Sequence, residues 1–137
     1  MFIKATYKKI IFFLFIFLFG CIDKDDKADI LESIKYSTIY EVNLRQYTPS
    51  GSIKEFRSHL PRLKSMGINI LWFMPIHPIG EVNRKGSLGS YYSVKDYFDI
   101  NPEFGTLNEF KSLVKEIHKM DMFIILDWVA NHTAWDN

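Results

Sequence analysis

The chain has 137 residues, of which 47% are apolar and 24% are charged, which is the composition of a globular domain rather than of a disordered segment. The formal net charge is +1, and after the first twenty residues the chain carries 14 basic and 16 acidic side chains. A nearly neutral body gives no electrostatic basis for binding nucleic acid, so we do not expect nucleic acid as a partner.

The first twenty residues have the pattern of a signal peptide. Lys4, Lys8 and Lys9 form a positive start, and Ile10–Phe19 is an uninterrupted apolar run of ten residues. Such a run is about half as long as a segment that spans a bilayer, but it is typical of the apolar part of a signal peptide. We therefore predict that residues 1–20 direct export.

Cys21 is the only cysteine and directly follows that apolar run. The tetrapeptide Leu18-Phe19-Gly20-Cys21 resembles the bacterial lipobox, which implies lipidation of Cys21 and a protein anchored in the bacterial envelope. An ordinary signal peptide followed by an incidental cysteine is the alternative. Residues 21–36 are rich in charge and have the pattern of a solvated tether. Whether the protein faces the periplasm or the cell surface stays open.

The predicted domain, residues 37–137, follows the tether. It begins with a strand pattern over Thr38–Leu44 and a turn over Gln46–Gly51. Ser52 and Glu55 have the spacing of a capping box. Apolar residues then recur at helical spacing, with Pro61 expected to kink or split the helix. Gly67 is suited to the position just after the helix.

The rest of the chain alternates in the same way. Ile68–Pro75 is a nearly continuous apolar run, which predicts a strand buried on both faces. Residues 76–105 show no periodicity, and a loop of that length in a compact domain is expected to be functional. Thr106–Glu109 has the pattern of a second capping box before a helix, and Met122–Val129 is a third predicted buried strand.

Strands that alternate with helices predict a parallel sheet built from right-handed βαβ units. In such a sheet, ligands bind beyond the carboxyl ends of the strands. Both the loop at residues 76–105 and the polar residues after the third strand fall there. Three strands can neither close a barrel nor cover both faces of an open sheet, so we expect an incomplete domain.

The residues after the third strand combine several chemistries. Asp127 ends the apolar run and is followed by Asn131, His132 and Trp135. A buried carboxylate must be paired or hydrogen-bonded, so Asp127 is expected either to tie down the following loop or to serve a site. Asn131 offers an oxygen suited to Ca²⁺, and His132 is able to bind a sugar hydroxyl, ligate a metal or cap the loop. A metal site shared by His77 and His132 is a weaker alternative.

Several spaced motifs together resemble the α-amylase family, glycoside hydrolase family 13. Asp127-Trp128-Val129-Ala130-Asn131-His132 matches the family signature D-x-V-x-N-H at the end of barrel strand three. Tyr92-Ser93-Val94-Lys95-Asp96-Tyr97 and Phe104-Gly105-Thr106 match its upstream pattern, and Leu71–Ile76 and Ile39–Val42 resemble strands two and one. The resemblance covers residues 37–137 and implies a partial (β/α)₈ TIM barrel of about three βα units.

The resemblance also implies roles for individual residues. Tyr92 would stack on the sugar ring at the attacked position, and His132 would hydrogen-bond the same sugar. Asn131 matches a Ca²⁺ ligand of calcium-dependent members, so calcium is a possible cofactor. Asp127 and Asp96 are expected to be structural. The implied partner is an α-glucan or malto-oligosaccharide.

The catalytic pair of the family is not matched in this chain. Retaining glycosidases need two carboxyl groups about 5 Å apart, and the family takes them from strands four and five. None of the sixteen acidic residues matches them. We therefore expect part of a retaining α-glucan-active hydrolase or transglycosylase that is inactive alone. A non-catalytic glycan-binding or partner protein of the same ancestry is the alternative.

Overall fold

The computed structural model describes residue 32 and residues 34–137. The chain divides into two units, Met1–Tyr36 and Ser37–Asn137. In the first, Lys35 and Glu32 form an exposed ion pair at 3.7 Å. The predicted signal peptide, the lipidation site at Cys21 and most of the predicted tether lie outside the described residues. Within the described part, no helix is long and apolar enough to cross a membrane.

The second unit contains a three-stranded parallel sheet in the order β1-β2-β3. Strand β1 spans Ile39–Val42, β2 spans Ile70–Phe73 and β3 spans Phe123–Leu126. The last residues of the three strands lie side by side in the register Val42, Phe73, Leu126. The segments that leave the strands therefore emerge at one edge of the sheet, as the strand order predicted.

Four helices connect the strands. Helix α1 spans Leu44–Tyr47, α2 spans Ile53–Arg57, α3 spans Leu60–Ser65 and α4 spans Leu107–Lys119. The turn predicted from residue 46 therefore begins too early, because the chain first completes the helical turn α1. Residues 76–105 contain no helix and only an isolated bridge between Ile79 and Val94.

The breaks between helices follow from local chemistry. Pro61 lies in the first turn of α3, where its missing N–H is not needed, and this confirms the predicted split between α2 and α3. Gly67 follows α3 with φ of +80°, a conformation that other residues rarely adopt.

The two predicted capping boxes differ in outcome. At α4, Thr106 Oγ1 accepts from Glu109 N at 3.2 Å while Thr106 N donates to Glu109 Oε2 at 2.8 Å, so the box is complete. At α2, Ser52 Oγ accepts from Glu55 N at 3.2 Å, but Glu55 Oε2 accepts from Ser50 N at 3.1 Å instead of from Ser52. Glu55 therefore braces the preceding turn, and the predicted reciprocal bond is wrong.

The core lies between one face of the sheet and the helices. Phe73 is fully buried at the end of β2. Its ring centre lies 5.4 Å from that of Phe56 and 5.9 Å from that of Phe110, and both pairs are edge to face. The remaining large side chains that are fully buried include Leu60, Leu63, Leu71, Leu113, Ile117 and Val42. This aromatic and aliphatic cluster joins α2, α3 and α4 to the sheet.

The opposite sheet face is partly open in the described residues, although Ile70 on this face is buried. Because side chains alternate along a strand, Ile39, Trp72, Phe123 and Ile125 share that face, and they are exposed by 54%, 38%, 37% and 43%. The expectation of burial on both faces is therefore wrong for β3, whereas β2 exposes only Trp72 and buries Ile70 on this face. The described helices pack on the other face, and β3 at the edge of the sheet has a neighbouring strand on one side only.

We expect Phe73→Ala to lower the free energy of unfolding by about 3–5 kcal/mol, because it empties the centre of the aromatic cluster. Phe98→Ala is the matched control, since Phe98 is 91% exposed, and it should change stability by less than about 0.5 kcal/mol. Urea denaturation of the full natural polypeptide measures both. Equal effects of the two substitutions would contradict the central place of Phe73 in the core.

Candidate functional site

Two consecutive tyrosines fasten the loop at residues 76–105 to the carboxyl edge of the sheet. The Tyr91 hydroxyl donates to Asn43 Oδ1 at 2.9 Å, directly after β1. The Tyr92 hydroxyl donates to Asp127 Oδ2 at 3.0 Å, directly after β3. The loop therefore spans the exits of the two outer strands, at the edge where the parallel order predicted a site.

Asp127 pairs with a side chain rather than with the loop backbone. The expectation that its carboxylate ties down the following loop through N–H groups is not met in the described residues, where its bond is to Tyr92. This bond raises the pKa of Tyr92, because a carboxylate acceptor favours the protonated phenol. Tyr92 is 39% exposed, so part of its surface is open while its hydroxyl is held.

The segment carrying His132 is positioned by Tyr97. The Tyr97 hydroxyl lies 2.6 Å from the carbonyl oxygen of Val129 and 3.1 Å from that of His132. On the ring itself, Nδ1 of His132 lies 3.3 Å from Asn131 Nδ2. Nε2 of His132 has no hydrogen-bond partner among residues 34–137, and the side chain is exposed.

Asn131 by itself does not make a calcium site. Ca²⁺ takes six to eight oxygen ligands, and the described residues contain no group of three His, Cys, Asp or Glu side chains able to hold a metal ion. Asn131 would supply one oxygen and the other ligands would have to come from elsewhere, so calcium binding stays a prediction. His77, the candidate metal ligand of the weaker alternative, contacts the carbonyl oxygen of Asp99 at 3.0 Å through Nδ1.

Asp96 closes a local turn in the loop. Its Oδ1 accepts from Phe98 N at 2.7 Å, two residues further on. This bond is of the kind by which Asp side chains stabilise turns. The structural role that the resemblance implies for Asp96 stays a prediction.

Arg45 contributes to the site although no sequence pattern indicated it. Its guanidinium carbon lies 4.5 Å from the centre of the Tyr91 ring, and Nη2 donates to Glu103 Oε2 at 3.1 Å. Its side chain is only 15% exposed. Arg45 thus packs on the ring of Tyr91 and holds it in place, and no local pattern links it to Glu103, 58 residues away.

The segment after His132 is also fixed to the loop. Ala134 N donates to the carbonyl oxygen of Val94 at 2.8 Å. The Asp136 carboxylate accepts from Glu81 N at 3.0 and 3.2 Å and lies 3.4 Å from Lys95 Nζ. Gly80 is needed for this approach, because a Cβ there would lie 2.3 Å from Ala134 Cβ.

The parallel sheet, with helices on one face and tyrosines, Asp127 and His132 beyond the strand ends, defines part of a (β/α)₈ barrel with a site at its carboxyl edge. The chain belongs to the α-amylase family: residues 22–137 match the family described as the alpha amylase catalytic domain. The fold expectation and the family resemblance are both confirmed.

Individual relatives support the same family. The chain is 36% identical over 105 residues to alpha-amylase 3 of Dictyoglomus thermophilum, covering 73% of this chain and 20% of that protein. It is 34% identical over 132 residues to the cyclomaltodextrin glucanotransferase of Klebsiella oxytoca, covering 92% and 19%. The crystal structure of an alpha-amylase from Lactobacillus plantarum superposes with a TM-score of 0.72 at 50% identity, covering 74% and 24%. The chain thus spans about a fifth to a quarter of these relatives.

We expect the hydrogen bonds from Glu81 N to the Asp136 carboxylate to weaken in acid. The Glu81 backbone N–H, and then Lys95, lower the pKa of Asp136 below its ordinary value of 3.8. A carboxyl group with a lowered pKa in the folded state stabilises that state above its unfolded pKa. The contribution is lost as the pH falls through the lower, folded value.

The amide chemical shift of Glu81, followed by NMR between pH 6 and pH 2, reports this transition. It should titrate with a midpoint below 3.8. In Asp136→Asn, which keeps an acceptor oxygen but has no titrating proton, the transition should vanish. A midpoint at or above the ordinary Asp pKa of 3.8 would contradict the stabilising hydrogen bonds between Glu81 N and Asp136.

Proposed function

We propose that the full natural polypeptide acts on α-glucans as a retaining glycosidase or transglycosylase, and that Tyr92 and His132 hold the sugar. The observation that carries the proposal is the bond from the Tyr92 hydroxyl to Asp127 Oδ2 at 3.0 Å. It fixes an aromatic ring at the carboxyl edge of the sheet, beside the segment that carries His132.

Tyr92 is suited to positioning a sugar rather than to acid–base chemistry. Its raised pKa keeps the phenol neutral, and its hydroxyl is already engaged by Asp127. A pyranose presents a face of C–H groups, which packs on an aromatic ring, while its hydroxyls remain available for polar contacts. Because the bond to Asp127 already restricts the Tyr92 ring, the side chain loses little conformational entropy when a sugar binds.

His132 is suited to donate a hydrogen bond to the same sugar. The side-chain nitrogen of Asn131 donates, so Nδ1 of His132 at 3.3 Å accepts and the ring proton lies on Nε2. Nε2 has no other partner among the described residues, and it offers a donor to a sugar oxygen. Tyr97 binds the carbonyl oxygens of Val129 and His132 and so fixes the base of the side chain.

The names of the relatives support an α-glucan substrate. They include alpha-amylases, a trehalose-6-phosphate hydrolase and a cyclomaltodextrin glucanotransferase, so both hydrolysis and transfer occur among them. The described residues supply the substrate-holding side and no matched carboxylate pair, so we propose that these residues bind the glucan and do not themselves cleave it. On this proposal the 137 residues alone release no sugar from starch.

We expect His132→Ala in the full natural polypeptide to lower kcat/KM on maltoheptaose by about 100-fold, the loss typical of a hydrogen-bond donor at a reacting centre. Tyr92→Ala should weaken binding more than Tyr92→Phe, because phenylalanine keeps the ring. His118→Ala, an exposed histidine on α4, is the matched control and should be neutral.

The outcomes separate the two candidate functions. Full activity of His132→Ala would overturn its assigned role. If the wild-type polypeptide binds starch but neither hydrolyses nor transfers glucan, the non-catalytic glycan-binding alternative replaces the enzyme.

We further propose that the protein is exported and anchored in the bacterial envelope by a lipid on Cys21. Support comes from the sequence alone, in which the single cysteine directly follows a ten-residue apolar run. Labelled fatty acid should be incorporated into the wild-type protein in a bacterial host and not into Cys21→Ser. Equal labelling of both, or release of the wild type as a soluble protein, would contradict the anchor.

A further inference from the structure

Trp135 is exposed although the residues on both sides of it are fixed. Its side chain is 82% exposed, whereas Ala134 is 6% exposed and the Asp136 side chain 17%. The backbone bond from Ala134 N and the carboxylate contacts of Asp136 hold the peptide on either side. The indole is therefore presented by a rigid segment rather than carried on a loose one.

A cavity adjoins this tryptophan. It has a volume of about 380 Å³, within the range of sites for small ligands. Two walls come from the loop, one from Ile79, Gly80 and residues 82–85 and the other from Gly89, Ser90 and Ser93. The third wall comes from Thr133 and Trp135. Arg84 stiffens the first wall, since its Nε donates to the carbonyl oxygen of Gly80 at 2.7 Å and its Nη2 to that of Ile79 at 2.9 Å.

The polar lining has unused hydrogen-bonding capacity. Asn83 and Ser93 line the cavity, and their side chains make no hydrogen bond to the described residues. The Thr133 hydroxyl donates to the carbonyl oxygen of Ala134 at 3.0 Å and keeps its own acceptor capacity. An aromatic face beside an amide and two hydroxyls is complementary to a pyranose, which has a C–H face and a rim of hydroxyls.

We propose that this cavity is a further glucosyl subsite, in which the indole of Trp135 stacks on one sugar ring of the α-glucan. The inference rests on the proposed function and extends the site formed by Tyr92 and His132.

Continuity with that site supports the same ligand. Ser90, which lines the cavity, accepts from Tyr92 N at 3.2 Å through Oγ. On the other side, Thr133 directly follows His132. The two segments that carry the proposed sugar-holding residues therefore also carry two of the cavity walls, and we infer that one oligosaccharide runs from one to the other.

The test compares short and long ligands in the full natural polypeptide. Thio-linked malto-oligosaccharides resist hydrolysis, so calorimetry gives their dissociation constants without turnover. We expect Trp135→Ala to weaken binding of thio-maltotetraose by roughly three- to tenfold, as for loss of one stacked ring, and to leave thio-maltose nearly unchanged. Trp135→Tyr should restore most of the affinity for the longer ligand.

Phe98→Ala is the matched control, because Phe98 is exposed on the same loop but does not line the cavity. It should leave the affinity for both ligands unchanged, and the thermal midpoint of Trp135→Ala should equal that of the wild type. Normal binding of thio-maltotetraose to Trp135→Ala would overturn the subsite while leaving the proposed function intact. Failure of the wild type to bind either ligand would overturn the proposed function itself.

Discussion

Parallel pairing of β1, β2 and β3 is the constraint on which the rest of the structure depends. In a parallel sheet all strands point the same way, so the residues that follow them emerge at one edge. Asn43 and Asp127 are brought to that edge from positions far apart in the chain. Without this pairing, neither Tyr91 nor Tyr92 would find its acceptor, and the loop would lose both bonds to the strand exits.

The loop closes through side-chain hydroxyls rather than through secondary structure. Tyr91, Tyr92 and Tyr97 each use a hydroxyl to reach a different segment at the strand exits. Such contacts position aromatic rings without covering all of their surface, which suits a site that holds a sugar. The same principle holds for the segment after His132, where Asp136 and Ala134 fix the backbone around Trp135.

One sheet face is packed and the other is open, and this difference reflects how a barrel is built. The helices cover the face that carries Val42, Leu71 and Phe73, and these three side chains are completely buried. The face with Trp72 and Ile125 corresponds to a barrel interior, where side chains from all strands pack against each other. The apolar runs in the sequence anticipate that environment, although Trp72 and Ile125 on this face are exposed by 38% and 43% in the described residues.

The sequence by itself determined the features that depend on neighbours in the chain, and only the tertiary structure decided which distant groups meet. The complete capping box at Thr106 and Glu109 and the split at Pro61 are local, because each needs only residues a few positions apart. Spaced motifs also led to the family and to Tyr92 and His132 as residues of one edge.

By contrast, Asp127 accepts from Tyr92, 35 residues away, and Arg45 pairs with Glu103, 58 residues away. The burial of β3 on both faces and the bond from Ser52 N to the Glu55 carboxylate were wrongly predicted. Both depend on which groups lie nearby in the folded chain. The exposed indole of Trp135 is likewise a product of tertiary contacts, since its position is set by the partners of Ala134 and Asp136 on a distant loop.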